Sequence, residues 1–195
     1  MTATAPRLTT PEGHMLAWPA EALPLTISMW PTCPLAVMAA VIHAASMWNH
    51  VVDARSQHPT PLFRLLQATE HQAQIMVGEQ ALDQLPDNSW SIPGLDLPGA
   101  GFLSPHAPPT DDTSLTEEQG SCQLWWEASG SLKAAHIQVL LDPHSAMVET
   151  AVHELGHALG LDHCRVPRRV MYPKVGGTRP PTRIEVQTVL GGLLS

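Results

Sequence analysis

Residues 153–163 read His-Glu-Leu-Gly-His-Ala-Leu-Gly-Leu-Asp-His, and Met171-Tyr172-Pro173 follow shortly after. No other stretch restricts the fold as tightly. His153 and His157 are four apart, so on a helix they leave from one face and can share a metal ion at roughly 2.0–2.1 Å per nitrogen. Glu154 turns toward the same open side, which places a carboxylate beside the metal rather than on it. His163 lies six residues beyond His157, and a continuing helix would carry it away. Gly160 resolves this: glycine tolerates positive φ, ends the helix and lets the chain swing His163 back as a third ligand. Three protein ligands leave a fourth position open, as in catalytic zinc sites.

The helix beneath these ligands is specified as well. Asp142 is a candidate N-cap with Pro143 at the first helical position, and Ser145 is a rival cap. Val148, Val152, Leu155 and Leu159 make its apolar face, with Glu149, His153 and His157 elsewhere. Residues 134–141 read as a strand running into it. With 11 histidines in 195 residues, one pair at helical spacing would be a surface coincidence or a satisfied core pair. Three histidines, a glutamate and a glycine at fixed offsets point instead to a zinc site. Met171 alone reads as a core residue, which is compatible with packing beneath that site.

These residues resemble the metzincin clan of zinc endopeptidases, and within it the matrixins. The likeness covers roughly residues 22–192, specific at 153–173 and loose elsewhere. Residues 25–30 resemble the first strand of that family and residues 35–52 its long backing helix. Residues 63–69 and 74–78 resemble the next two strands, and residues 101–104 a short edge strand above the cleft. The implied fold is α+β: one domain over residues 22–195, with residues 1–21 as an irregular extension. Its sheet would be twisted and mostly parallel, of about five strands with an antiparallel edge strand. Around it would lie the backing helix, the active-site helix and a C-terminal helix over residues 182–190. On the backing helix, Leu35, Met38, Ile42, Ala45, Trp48 and Val52 form the stripe expected to face the sheet, with Pro34 at the first helical position.

The resemblance implies a metalloendopeptidase acting on internal peptide bonds of a protein or peptide substrate. One catalytic zinc would be held by His153, His157 and His163, lowering the pKa of its water to ~7. Glu154 would accept the proton and pass it to the leaving amine. Gly160 and Met171 would support the site from below. An extended peptide would pair with residues 101–104, and a side-chain pocket would be walled by Pro173, Val175 and Leu103. Tyr172 follows Met171 directly, one position short of the tyrosine that some metzincins use as a zinc ligand, so it is not assigned to the metal.

Several positions depart from the matrixin pattern. Cys164 stands where a small residue, often serine, is usual. His163-Cys164 with Met171 seven further on also resembles the archaemetzincins, but Arg169 stands where that family has its next cysteine. The matrixin reading therefore leads, with a zinc exopeptidase of archaemetzincin type, or a zinc-binding protein without turnover, as alternatives. The family's structural zinc is not expected, since no His-x-Asp occurs between residues 79 and 100 and His106 stands alone. The family's calcium loop is echoed only faintly at residues 96–99; Asp83, Asp87, Asp111, Asp112, Glu117 and Glu118 offer oxygen ligands for calcium but read first as solvated loop acids.

A net charge of −8 with 10 Lys plus Arg argues against nucleic acid or an anionic membrane surface as partner. No stretch is expected to reach the ~20 apolar residues of a membrane span, and a monomer is expected. Residues 1–24 show no secretion signal, although the resemblance implies an extracellular enzyme. Cys33, Cys122 and Cys164 cannot all pair within one chain. Cys33, ahead of the backing helix, reads as a cap or buried thiol. His43, His50 and His58 read as surface or satisfied histidines. Residues 85–119, rich in Pro, Gly, Asp and Ser, read as surface loops.

Overall fold

The computed structural model describes residues 5–55, 60–66, 73–78, 101–103, 120–140, 143–173 and 179–193. Among them, six strands form one sheet: β1 (Leu25–Met29), β2 (Phe63–Leu65), β3 (Ile75–Gly78), β4 (Gly101–Leu103), β5 (Gly120–Trp126) and β6 (Leu132–Val139). Their spatial order is β2-β1-β3-β6-β5-β4. β2, β1, β3 and β6 pair in parallel, which suits strands such as Leu25–Met29 and Ile75–Gly78 that are buried on both faces. β5 runs antiparallel to β6, and β4 at the edge pairs antiparallel with β5. The expected antiparallel edge is thus built from two strands, and β5 is the one that the sequence reading did not find.

Among the described residues, three α-helices accompany the sheet: α1 (Leu35–Arg55), α2 (His144–Ala158) and α3 (Arg183–Leu193). α1 and α2 start on prolines that lie one position outside the expected place. Pro34 O accepts from Met38 N–H (2.9 Å) and Pro143 O from Ala146 N–H (2.9 Å), so both act as N-caps. Ser145 is not the cap of α2, whose start at Pro143 has no side-chain cap bond, and Asp142 lies outside the described residues. At α3 the cap is half formed: Thr182 N–H donates to Glu185 Oε2 at 2.7 Å.

The buried face of α1 is rotated from the expected stripe. Val37, Ala40, Val41, Ala44, Ala45, Trp48 and Val52 are buried, whereas Leu35 is 82% exposed and Ile42 44%. Trp48 fixes the orientation, its Nε1–H donating to Val152 O of α2 at 3.0 Å. Asn49 pins β2 to the same helix, donating to Phe63 O (2.9 Å) and accepting from Phe63 N–H (3.0 Å). The window Leu35–Val52, of mean hydropathy 1.5, is long and apolar enough by composition to cross a bilayer, so the expectation that no such stretch exists was too strict. Here it lies against α2 and β2, and its alanines and histidines separate it from a leucine-rich span.

The core lies between the sheet and the two long helices, with Ile27, Ile75, Leu124 and Ile137 meeting Trp48, Val152 and Leu155. Residues 5–18, ahead of the sheet, are packed as well: Ala5, Leu8, Leu16 and Trp18 belong to this core.

Candidate metal centre

α2 carries its apolar side, Val148, Val152, Leu155 and Leu159, into the core as expected. Its opposite side presents His153 and His157 one turn apart. The helix ends at Ala158, and Gly160 adopts φ +85°, where a side chain would be strained. That turn brings His163 back.

The three Nε2 atoms form a nearly equilateral triangle, with separations of 3.1 Å (His153–His157), 3.2 Å (His153–His163) and 3.2 Å (His157–His163). The other nitrogens decide what this triangle can hold. His153 Nδ1–H donates to Val170 O at 2.7 Å, and His157 Nδ1–H donates to Leu161 O at 2.8 Å. A carbonyl only accepts, so in the neutral form each ring carries its proton on Nδ1 and turns a bare lone pair inward. Lone pairs this close repel one another unless a cation lies between them. A point about 2 Å from all three nitrogens exists on the axis of the triangle, the usual zinc–imidazole distance. The donor set and its carbonyl-oriented rings fit a zinc ion, and these three residues form a group able to hold a metal.

Glu154 is 2% exposed and lies against β5: a side chain on Gly120 would come 3.2 Å from its Cγ. Cys122 is its neighbour on the same strand. Burial pushes the Cys122 thiol well above its ordinary pKa, and the charge of Glu154 pushes it in the same direction. Cys122 is therefore a neutral thiol behind the carboxylate. Cys33 and Cys164 are buried thiols outside any disulfide.

Met171 is fully buried beneath α2. It fits because position 156 is glycine, where any side chain would collide with Met171 Sδ. The loop from the third histidine is closed by Cys164 N–H donating to Met171 O at 2.8 Å. Tyr172 is half-buried, with Arg179 Cζ 5.6 Å from its ring centre, and Pro173 is exposed. Val175, His58, His106, residue 104 and the acids considered for calcium lie outside the described residues. For Leu103 the strand is described and the side chain is not.

Sequence reasoning missed Gly156, Gly120 and the carbonyls of Val170 and Leu161. A glycine in the interior of an otherwise regular helix was a signal for the first. A groove of about 340 Å³ across α1 and β2, lined by Ile42, Asn49, His50 and Leu65 among others, lies away from the histidines, and its one titratable group is the exposed His50.

The family model of the matrixins matches residues 32–188. A protein described as metalloendoproteinase 1, from Glycine max, is 29% identical over 167 residues, covering 83% of this chain and 46% of that protein. The chain thus spans about half the length of that relative.

Proposed function

The chain belongs to the matrixin family of metallopeptidases, and from that premise we propose that it is a zinc-dependent endopeptidase with Glu154 as its general base. The observation that carries this reading is the convergence of three inward-facing imidazole nitrogens, 3.1–3.2 Å apart, beside a buried glutamate. His153, His157 and His163 would hold the metal. When bound, zinc supplies Lewis-acid chemistry, making water more acidic and a carbonyl more electrophilic.

The remaining work falls to the chain's own groups. Glu154 would take a proton from the attacking water on one carboxylate oxygen and return it to the leaving nitrogen. Its burial against Gly120 and Cys122 keeps bulk water off one side of the carboxylate. Val170 O and Leu161 O hold two rings in the tautomer whose Nε2 is free. Met171 and Gly160 support the floor and the turn.

An extended substrate would add to the edge of the sheet through main-chain hydrogen bonds. β4 pairs only with Leu124–Trp126 of β5, and among the described residues nothing pairs beyond residues 120–123. A side chain on Gly120 would come 3.2 Å from Glu154 Cγ, so residues 120–123 adjoin the reacting groups, and Gly101–Leu103 stays proposed as the edge that the substrate joins. Pro173, Val175 and Leu103 stay proposed as walls of a side-chain pocket.

The test uses internally quenched and end-labelled peptides, with and without a chelator. Chelator-sensitive cleavage of the internally quenched set supports the proposal. Release confined to chain ends would make the protein an exopeptidase, and zinc uptake without cleavage of either set would make it a binding protein. Glu154→Gln should retain zinc and lose at least a hundredfold in kcat, in keeping with removal of a general base. Unchanged turnover in that variant would refute the assigned role.

A further inference from the structure

We propose that residues 5–18 are a clamp that positions two of the three metal-binding histidines, with Arg7 and Trp18 as its positioning residues. This rests on the reading of His153, His157 and His163 as a metal centre, and it concerns a segment that the family match at 32–188 does not include.

The contacts run directly to the ligands. Arg7 and Leu161 form an antiparallel bridge, in which Leu8 N–H donates to Gly160 O (3.0 Å) and Asp162 N–H donates to Pro6 O (3.1 Å). Each bridged residue on the far side then serves a histidine. Leu161 O accepts from His157 Nδ1–H at 2.8 Å, and Asp162 Oδ1 accepts from His163 N–H at 2.7 Å. Trp18 adds a buried bond at the end of the helix, its Nε1–H donating to Ala158 O at 2.7 Å. The carbonyls of a helix end have no partner within the helix, so this bond and the bridge together fix where the chain leaves α2.

The segment is itself held at both ends. Leu16 N–H donates to Leu8 O (2.9 Å), folding it into a hairpin, and Ala17 is tied to the β5–β6 turn by bonds with Gly130 and Leu132. The Arg7 guanidinium donates to Leu16 O (2.6 Å) and to Thr188 O of α3 (3.3 Å), joining the hairpin to the C-terminal helix.

The rest of the chain leaves room for it. A side chain on Gly160 would come 2.5 Å from Leu16 O, one on Gly130 would come 2.5 Å from Met15 O, and one on Gly192 would collide with the Arg7 guanidinium. Three glycines on three separate elements are bare where this one segment passes. A loosely attached tail would need none of them.

Gly191 and Gly192 provide a matched pair for the test, because a side chain on Gly191 meets nothing within 4 Å. The full-length, zinc-loaded protein is mixed with a colorimetric chelator at 25 °C, and zinc release is timed. Metal-free melting temperature is measured alongside. Gly191→Ala should release zinc at the wild-type rate. Gly192→Ala and Arg7→Met should release it about tenfold faster, the scale on which groups that orient metal ligands act. Their cobalt-substituted forms should show displaced visible absorption bands. A clamp that acts only on global stability would lower the metal-free melting temperature and leave release and spectrum unchanged, which overturns the proposal. Should those two variants fail to fold, Trp18→Phe, which removes one hydrogen bond and keeps a ring, decides by the same readings. Wild-type protein that takes up neither zinc nor cobalt would remove the metal centre itself, an outcome distinct from variants that match the wild type.

Discussion

His136 shows how a single residue ties stability to pH. It sits on β6, almost fully buried opposite Gln123 and Met76, and burial lowers its pKa to about 4. An unfolded chain titrates this ring near its ordinary value of about 6.5. Above that pH both states are neutral and the group is silent. As pH falls from about 6.5 toward about 4, the unfolded state takes up a proton that the folded state refuses, so stability is lost across that window. The full shift is worth about 3 kcal/mol at one proton per site. Other groups can titrate there too, so the comparison is with His136→Gln. The advantage of wild type over the variant should shrink by up to about 3 kcal/mol between pH 7.5 and pH 4 in denaturant unfolding; a constant difference would show that the ring protonates freely in the fold. At this scale the candidate site was half legible. Side chains such as His153, His157 and Glu154 announce themselves by type and spacing. Main-chain groups such as Val170 O and Leu161 O carry no signature of type, since any residue at those positions has a carbonyl.

Among the elements, α2 and α1 contrast in how well their faces could be read. α2 alternates apolar and ligand-bearing positions cleanly, and Val148, Val152, Leu155 and Leu159 are buried as expected. α1 is apolar nearly all round, and such a helix does not tell which side is buried. Its seat is set by Trp48 and Asn49, whose hydrogen-bond partners lie on α2 and β2. Val41→Ala, on the buried face, should therefore cost about 1–3 kcal/mol, while Ile42→Ala, one residue on, should stay within about 0.5 kcal/mol. Equal costs in thermal unfolding would return the face to the unrotated stripe. β5 went unread for another reason: its alternation of buried Cys122, Leu124 and Trp126 with half-buried Ser121, Gln123 and Trp125 follows directly on a long Pro/Gly-rich stretch. Gly156 sets two element-scale effects against each other. Alanine is the better helix former by about 1 kcal/mol, but the new methyl would collide with Met171, and overpacking costs about 1–3 kcal/mol. Packing should win, so Gly156→Ala should melt lower than wild type; a higher melting temperature would mean that Met171 moves aside freely.

At the scale of the molecule, the proposed metal would tie two parts of the chain to each other. His153 and His157 come from α2, whereas His163 belongs to the loop that closes on Met171 and leads to α3. Without the ion, three ring nitrogens 3.1–3.2 Å apart, two of them turning a bare lone pair inward, favour separation of that loop from the helix. With it, any opening of the loop must break a ligand bond, and binding to the folded state alone adds stability in proportion to the logarithm of free zinc. Each tenfold rise in buffered free zinc above the dissociation constant should contribute about 1.4 kcal/mol. The melting temperature should climb steadily along such a series. Glu154→Gln should climb in parallel, because that carboxylate is assigned no bond to the metal. His163→Ala should lie nearly flat, since two imidazoles on one helix face bind zinc too weakly to respond over the same range. A wild-type melting temperature indifferent to free zinc would leave the triangle of nitrogens without its cation, and a flat response in Glu154→Gln would move that residue from beside the metal to its coordination sphere.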